Sequence, residues 1–229
     1  MKKMIRKCFY IGLGLFCYIS AFAGVLQQGK FWPTVDLSGS FLGLPPILYD
    51  LSVQGRYNES IHEYERTLFE AGLGYKLFPN LSGWLGYRWI LENANTNQEH
   101  RIWQQIIWDA VNTKHFQFSS RTRLSERKND HQAEWAIWLR QRFTIRLPQT
   151  IANRFTPILY DEIFFNLNNP PWTNHRVVDQ NRAFIGIEIP IAPIFKKANI
   201  QVGYLNQYIF KSPINEVNNI LFVSLNMST

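Results

Sequence analysis

Cysteine is nearly missing. The chain of 229 residues has two, Cys8 and Cys17, and none after residue 17. Disulfides, thiolate catalysis and cysteine metal sites are therefore excluded from the remainder. Long apolar runs are missing too. Beyond residue 23 no stretch approaches about 18 consecutive apolar residues, so no helix spans a membrane there. The most apolar run, "FIGIEIPIAPIF" at 184–195, is broken by Glu188, Pro190 and Pro193. Histidine is sparse: His62, His100, His115, His131 and His175 offer no pair at ligand spacing within one element, so no metal or other cofactor is expected. No G-x-S-x-G nucleophile motif occurs. The formal charge of +7 is partly an end effect, because four of the 24 basic residues and none of the 17 acidic ones precede residue 24. The remaining charge is +3 (20 against 17), too small to indicate nucleic-acid binding.

What is present starts with an export leader. Lys2, Lys3, Arg6 and Lys7 form a positive n-region, Cys8 to Phe22 an apolar h-region, and Ala21-Phe22-Ala23 an A-x-A cleavage site. Residues 1–23 read as a signal peptide cleaved near Ala23, with a single membrane anchor as the bland alternative. Phe16 before Cys17 argues against lipid attachment, which needs a small residue there. Residues 24–229 then form one domain.

In that domain period two recurs. "ILYDLSVQGRY" sets Ile47, Tyr49, Leu51 and Val53 against Asp50, Ser52, Gln54 and Arg56. "WAIWLRQRFTIRL" sets Ile137, Leu139, Phe143 and Ile145 against Trp138, Arg140, Arg142 and Arg146. "FQFSSRTRLSER" sets Phe116, Phe118 and Leu124 against Arg121, Arg123 and Arg127. Alternation of this kind predicts strands. Eleven segments are expected: 31–42, 46–58, 63–77, 81–92, 99–112, 115–128, 132–147, 155–167, 180–192, 198–210 and 217–227. They are longer than the five or six residues of an average soluble strand and suit tilted membrane strands. "FPN" at 78–80 and "NTK" are tight connections, whereas "NANTNQ" at 93–98 and "NLNNPPWTNHRV" at 166–177 are longer and polar.

A two-faced strand fits a soluble barrel with an apolar interior or a membrane barrel with a polar one. After residue 23 arginine outnumbers lysine by thirteen to seven. That bias favours guanidiniums forked onto carboxylates in a confined lumen. The expected lumen network is Arg56, Arg66, Glu70, Arg88, Arg101, Arg121, Arg123, Arg127, Arg140, Arg142, Glu162, Arg182 and Glu188, with Asp109 and Arg146 on the same parity. The fold expected is all-β: a single transmembrane antiparallel up-and-down β-barrel. Bacterial barrels close with an even number of strands. Eleven segments therefore predict twelve strands, residues 24–31 adding a short one, or ten, with 31–42 outside the wall.

"GLGYKLFPNLSGWLGYRW" (72–89), "EHRIWQQ" (99–105), "RTRLSER" (121–127), "YDEIFFN" (160–166), "DQNR" (179–182) and "VGYLNQY" (202–208) stand in the order of the DUF2490 family, which the chain resembles from Trp32 to Leu225. The resemblance implies an exported outer-membrane β-barrel and assigns no reaction. It also implies that Arg88, Glu99, His100, Arg101, Arg121, Arg123, Arg127, Glu162, Asn166, Asp179, Gln180 and Arg182 occupy the family's polar positions. The final "FVSLNMST" departs from outer-membrane barrels in having no terminal aromatic.

Glu162 reads as a general acid or base, or as a counter-charge for lumen arginines, and the counter-charge is favoured. His100, between Glu99 and Arg101, is a candidate for hydrolysis or a polar rim residue. Trp84, Trp103, Trp138 and Phe164 share the polar parity and either stack on a ligand or fill a narrow lumen. Tyr75, Tyr87, Trp89, Trp108 and Tyr204 suit aromatic girdles. The function expected is a non-catalytic structural or narrow-passage outer-membrane barrel with a largely occluded Arg/Glu lumen. The alternative is an outer-membrane enzyme acting on lipid or lipopolysaccharide, which needs a serine beside a histidine. The partners expected are outer-membrane lipids and the outer-membrane assembly machinery.

Overall fold

Residues that alternate apolar and polar cannot bury both sets in one sheet face, and a closed sheet separates them into an inside and an outside. The chain takes that solution. The computed structural model describes residues 25–41, 44–93, 98–148, 155–191 and 197–229. The leader at 1–23 lies outside the described residues, as do the middle of the 93–98 connection and the end of the 184–195 run. Eleven strands follow one another: β1 (Leu26–Phe41), β2 (Leu44–Asn58), β3 (Glu63–Phe78), β4 (Leu81–Glu92), β5 (Gln98–Asn112), β6 (Gln117–Asn129), β7 (Ala136–Arg146), β8 (Thr156–Asn166), β9 (Val178–Pro190), β10 (Ala198–Ile209) and β11 (Glu216–Ser228). Each segment read from the sequence corresponds to one strand.

The strands form a closed barrel in sequence order, with β1 beside β11. Every sequential pair is antiparallel, and β1 and β11 are parallel, in register from Leu26↔Glu216 to Ser38↔Ser228. The expectation of twelve or ten strands is corrected here. Residues 26–30 are not a separate strand but the first turnless stretch of β1, which begins at Leu26. Eleven alternating strands necessarily leave the first and last pointing the same way, and parallel pairing satisfies their edges as well as antiparallel pairing does. Odd-numbered membrane barrels exist, so the even-number premise was too strict.

One barrel end carries the Pro79–Asn80 turn and the last residues of β1 and β11. We call it the Pro79 end. The other carries the 167–177 connection and is called the Trp172 end.

Glycine lets the wall approach its own contents. Gly72 of β3 and Gly86 of β4 are register partners, and Trp103 of β5 lies flat across both. A Cβ at Gly72 would stand 2.6 Å from the Trp103 ring. Gly186 and Gly203 are likewise paired beneath Phe184, where added Cβ atoms would stand 2.5 Å from its ring. The interior is filled unevenly. Trp32, Ile158, Phe184, Leu205 and Ile220, with Tyr160 and Phe222 against them, form an apolar cluster from β1 and β8–β11. The β3–β7 side is charged.

Candidate functional site

The interior has three levels. At the Trp172 end a polar layer closes the barrel. Lys30 bonds Glu65 at 2.7 Å and lies 3.8 Å from Glu216. Asn218 donates to Glu216 at 2.9 Å and to Gln207 at 3.2 Å, and Gln207 bonds Gln180. Across the barrel, Glu99 accepts from Arg101 Nε at 2.8 Å and from Arg127 Nε at 2.6 Å. Arg127 lies 3.5 Å over the Trp138 ring and 4.9 Å from that of Trp172. The 167–177 connection folds over this layer. Asn166 donates to Asn174 at 2.8 Å, and Trp172 Nε1 donates to the Glu134 carbonyl at 3.0 Å.

The middle level is built on two buried carboxylates. Glu162 of β8, with no exposed surface, accepts from Arg121 Nη2 at 2.6 Å, Arg140 Nη2 at 2.9 Å and Arg142 Nη2 at 3.1 Å. Glu70 of β3 accepts from Arg88 and, at 3.0 Å, from Arg123 Nη1. A buried ion is tolerated only when paired and hydrogen-bonded, and the planar fork of arginine supplies both contacts. The rings at this level stack on the same cations. Arg123 lies 3.9 Å over Trp103 and Arg140 lies 4.5 Å over Phe164. Such pairs contribute about 0.5–2 kcal/mol each.

Two arginines differ from these. Arg56 lies 3.8 Å over Trp32, and its Nε donates to Gln54 at 2.9 Å. Arg182 approaches the same ring at 5.3 Å and Phe164 at 4.7 Å. Among the described residues neither has a carboxylate within salt-bridge distance. The remaining expected members lie nearer the barrel ends. Glu188 bonds Arg146 at 3.3 Å toward the Pro79 end, and Arg66 bonds Glu92 at 3.3 Å toward the Trp172 end. Asp109 is exposed at the Pro79 end.

The third feature is a cavity of about 300 Å³ that runs through the middle level, from Trp32, Arg56 and Arg182 to Thr144 and Arg146 on the Pro79 side. Side-chain exposure rises along β7 in that direction, from 5% at Arg140 to 24% at Arg142 and 40% at Arg146. The lumen is therefore closed at one end and open at the other.

Sequence reasoning missed several interior residues. Trp32, within the 31–42 segment, shares the inward parity of Asp36, and extending that segment backward would have found Lys30. Irregular registers turn single residues inward at the Arg56/Tyr57 and Phe164/Phe165 steps, which hid Glu65 from the parity argument; Asp179, already named by the motif resemblance, is turned inward in the same way. His100 points outward. Its Nδ1 bonds Tyr87 Oη and its Nε2 lies 3.2 Å from Asp130. Among the described residues no serine hydroxyl is hydrogen-bonded to a histidine, and no group of three His, Cys, Asp or Glu side chains has metal-binding geometry.

A family model described as "Protein of unknown function (DUF2490)" matches residues 29–218. The chain belongs to the DUF2490 family. It is also similar to an uncharacterized protein of Methylorubrum extorquens, 29% identical over 192 residues, covering 82% of this chain and 81% of that one. No solved structure matches. The DUF2490 motif residues converge in space. Glu99, Arg101 and Arg127 share one carboxylate cluster. Arg121, Arg123, Glu162 and Arg182 surround the middle level. Asn166, Asp179 and Gln180 belong to the closing layer, and His100 stands apart on the outer wall.

Proposed function

We propose that this protein is an integral outer-membrane barrel without catalytic activity, structural or narrow-passage in role, whose lumen is closed at the Trp172 end. The observation that carries this reading is the outer surface. Val35, Leu51, Phe69, Leu73, Leu85, Ile106, Phe143, Ile185 and Leu221 are exposed around the wall, while most strand charges face inward, Asp161 and Glu126 being exceptions on the outer face. A soluble barrel would place these groups the other way round, and monomers in water rarely expose apolar patches beyond a few hundred Å². Removing each such side chain from water is worth about 1.5–3 kcal/mol, and lipid provides that environment.

Aromatic side chains bracket the apolar band. Phe41, Tyr75, Phe78 and Trp108 are exposed toward the Pro79 end, and Tyr57 and Trp135 toward the Trp172 end. Tyr64 packs against Tyr57 at a tilt, with ring centroids 4.8 Å apart. Along β3 the path from Tyr64 to Tyr75, at about 3.4 Å per residue and a tilt of about 40°, rises roughly 28 Å. That height suits the apolar band of an outer-membrane barrel. The two-residue Pro79–Asn80 turn supports a periplasmic Pro79 end, since short turns mark that side of outer-membrane barrels.

Three measurements test the proposal. The protein should stay with the membrane on carbonate extraction, and unboiled samples should migrate faster than boiled ones on a denaturing gel. Reconstituted in planar bilayers it should conduct little. Recovery in the soluble periplasmic fraction would overturn the location, and a large steady conductance would overturn the closed lumen.

A further inference from the structure

The cavity that runs through the middle level is lined by eight arginines and only three acids, Asp36, Asp50 and Glu70. Glu162 and Glu188 pair with some of those arginines from behind. Cations still exceed anions by three (eight against five). Nε of Arg121, Arg140, Arg142 and Arg182 and the indole N–H of Trp32 and Trp103 are buried without a hydrogen-bond partner, and all six residues line this one cavity. Every one of these atoms is a donor. A buried donor left unmade costs about 1–3 kcal/mol. What the cavity lacks from its own chain is negative charge to match its arginines.

We infer that this cavity binds a phosphate-class oxyanion, as inorganic phosphate or the phosphate monoester of a small solute. Water could accept from the donors but cannot offset the charge. A carboxylate offers one charge and two acceptor oxygens. A phosphate carries about 1.5–2 negative charges and three or more acceptor oxygens, and guanidinium forks match its geometry. The volume of about 300 Å³ exceeds that of a single phosphate and leaves space for a small attached group. Arg56 and Arg182 are the specific ligands. Both lie over Trp32, on β2 and β9, and among the described residues neither has a carboxylate within salt-bridge distance, Glu162 being the register neighbour of Arg182. Access is from the Pro79 end, where exposure of the arginines increases. The inference goes beyond the outer-membrane reading and does not depend on it.

The test uses the full barrel in detergent micelles, titrated at constant ionic strength with inorganic phosphate, glycerol 3-phosphate, short-chain phosphatidic acid and acetate. Heat of binding and tryptophan emission are the readouts, since Trp32 and Trp103 line the cavity. Phosphate or glycerol 3-phosphate should bind saturably, and acetate should bind more weakly. Binding of phosphatidic acid alone would place the phosphate on a lipid headgroup. The substitution Arg182→Gln should weaken binding on the order of tenfold or more, the loss of one charge-assisted contact. Arg66→Gln, at the other end and outside the cavity, should change it little. Gel mobility checks the folding of each variant, and Arg56→Gln replaces Arg182→Gln if the latter does not fold. No saturable phosphate-class binding at millimolar concentrations, equal affinity for acetate, or equal affinity of the Arg182 and Arg66 variants would overturn the inference.

Discussion

Replacing Glu162 by glutamine tests whether the three-arginine cluster holds the barrel together. The side chain keeps its size and loses its charge. Arg121, Arg140 and Arg142 now bond this carboxylate at 2.6, 2.9 and 3.1 Å, and Glu162 has no exposure. Removing one partner of a buried ion pair costs about 3–5 kcal/mol. The lower end applies, because Arg121 and Arg142 keep side-chain exposures of 20% and 24% toward the cavity and water partly solvates them. Arg140, at 5%, has no such relief. We therefore expect a loss of about 3 kcal/mol. With a urea slope of about 1–3 kcal/mol per molar, the unfolding midpoint falls by roughly 1–3 M. Urea titration in phospholipid vesicles, followed by tryptophan emission, measures it. The double variant Glu162→Gln/Arg140→Gln should recover more than half of the loss, since the most buried unpaired cation is removed with its partner. A single variant within about 0.5 kcal/mol of the parent, the ordinary range of a surface substitution, or a double variant no better than the single, would refute the reasoning.

Two further outcomes follow from closure and packing. Cysteines placed at Val35 and Leu225, register partners in the parallel β1–β11 pair, should form a disulfide on oxidation in a chain with no other cysteine after residue 17; absence of the cross-link on a non-reducing gel would contradict the parallel seam. Gly86→Ala drives a methyl into the Trp103 ring and the Ala71 carbonyl, and should cost about 1–3 kcal/mol in the same urea assay, with altered tryptophan emission; an unchanged midpoint would mean that Trp103 does not lie against the wall.

Much of this protein is local in origin. Period two places Leu51 and Val53 opposite Gln54 and Arg56, and strand geometry then assigns them to opposite faces whatever the rest of the chain does. The same holds for Arg121, Arg123 and Arg127 against Phe118 and Leu124, so the charged lumen and the apolar wall follow from the order of residues. The seam between β1 and β11 does not. It depends on how far β1 extends, and residues 26–30 carry no strict alternation to announce it. Nor does parity reveal which charges meet. Glu70 on β3 reaches Arg123 on β6, and Arg121 on β6 reaches Glu162 on β8. These partners sit on non-neighbouring strands, brought together by the curvature of the closed wall and the register of every strand between them. Register irregularities turn Glu65 and Asp179 inward against the local pattern. Only the assembled barrel leaves Arg56 and Arg182 over one tryptophan with no carboxylate in salt-bridge contact, because that depends on which acids lie within reach across the lumen, and distances across a lumen are not written in a linear chain.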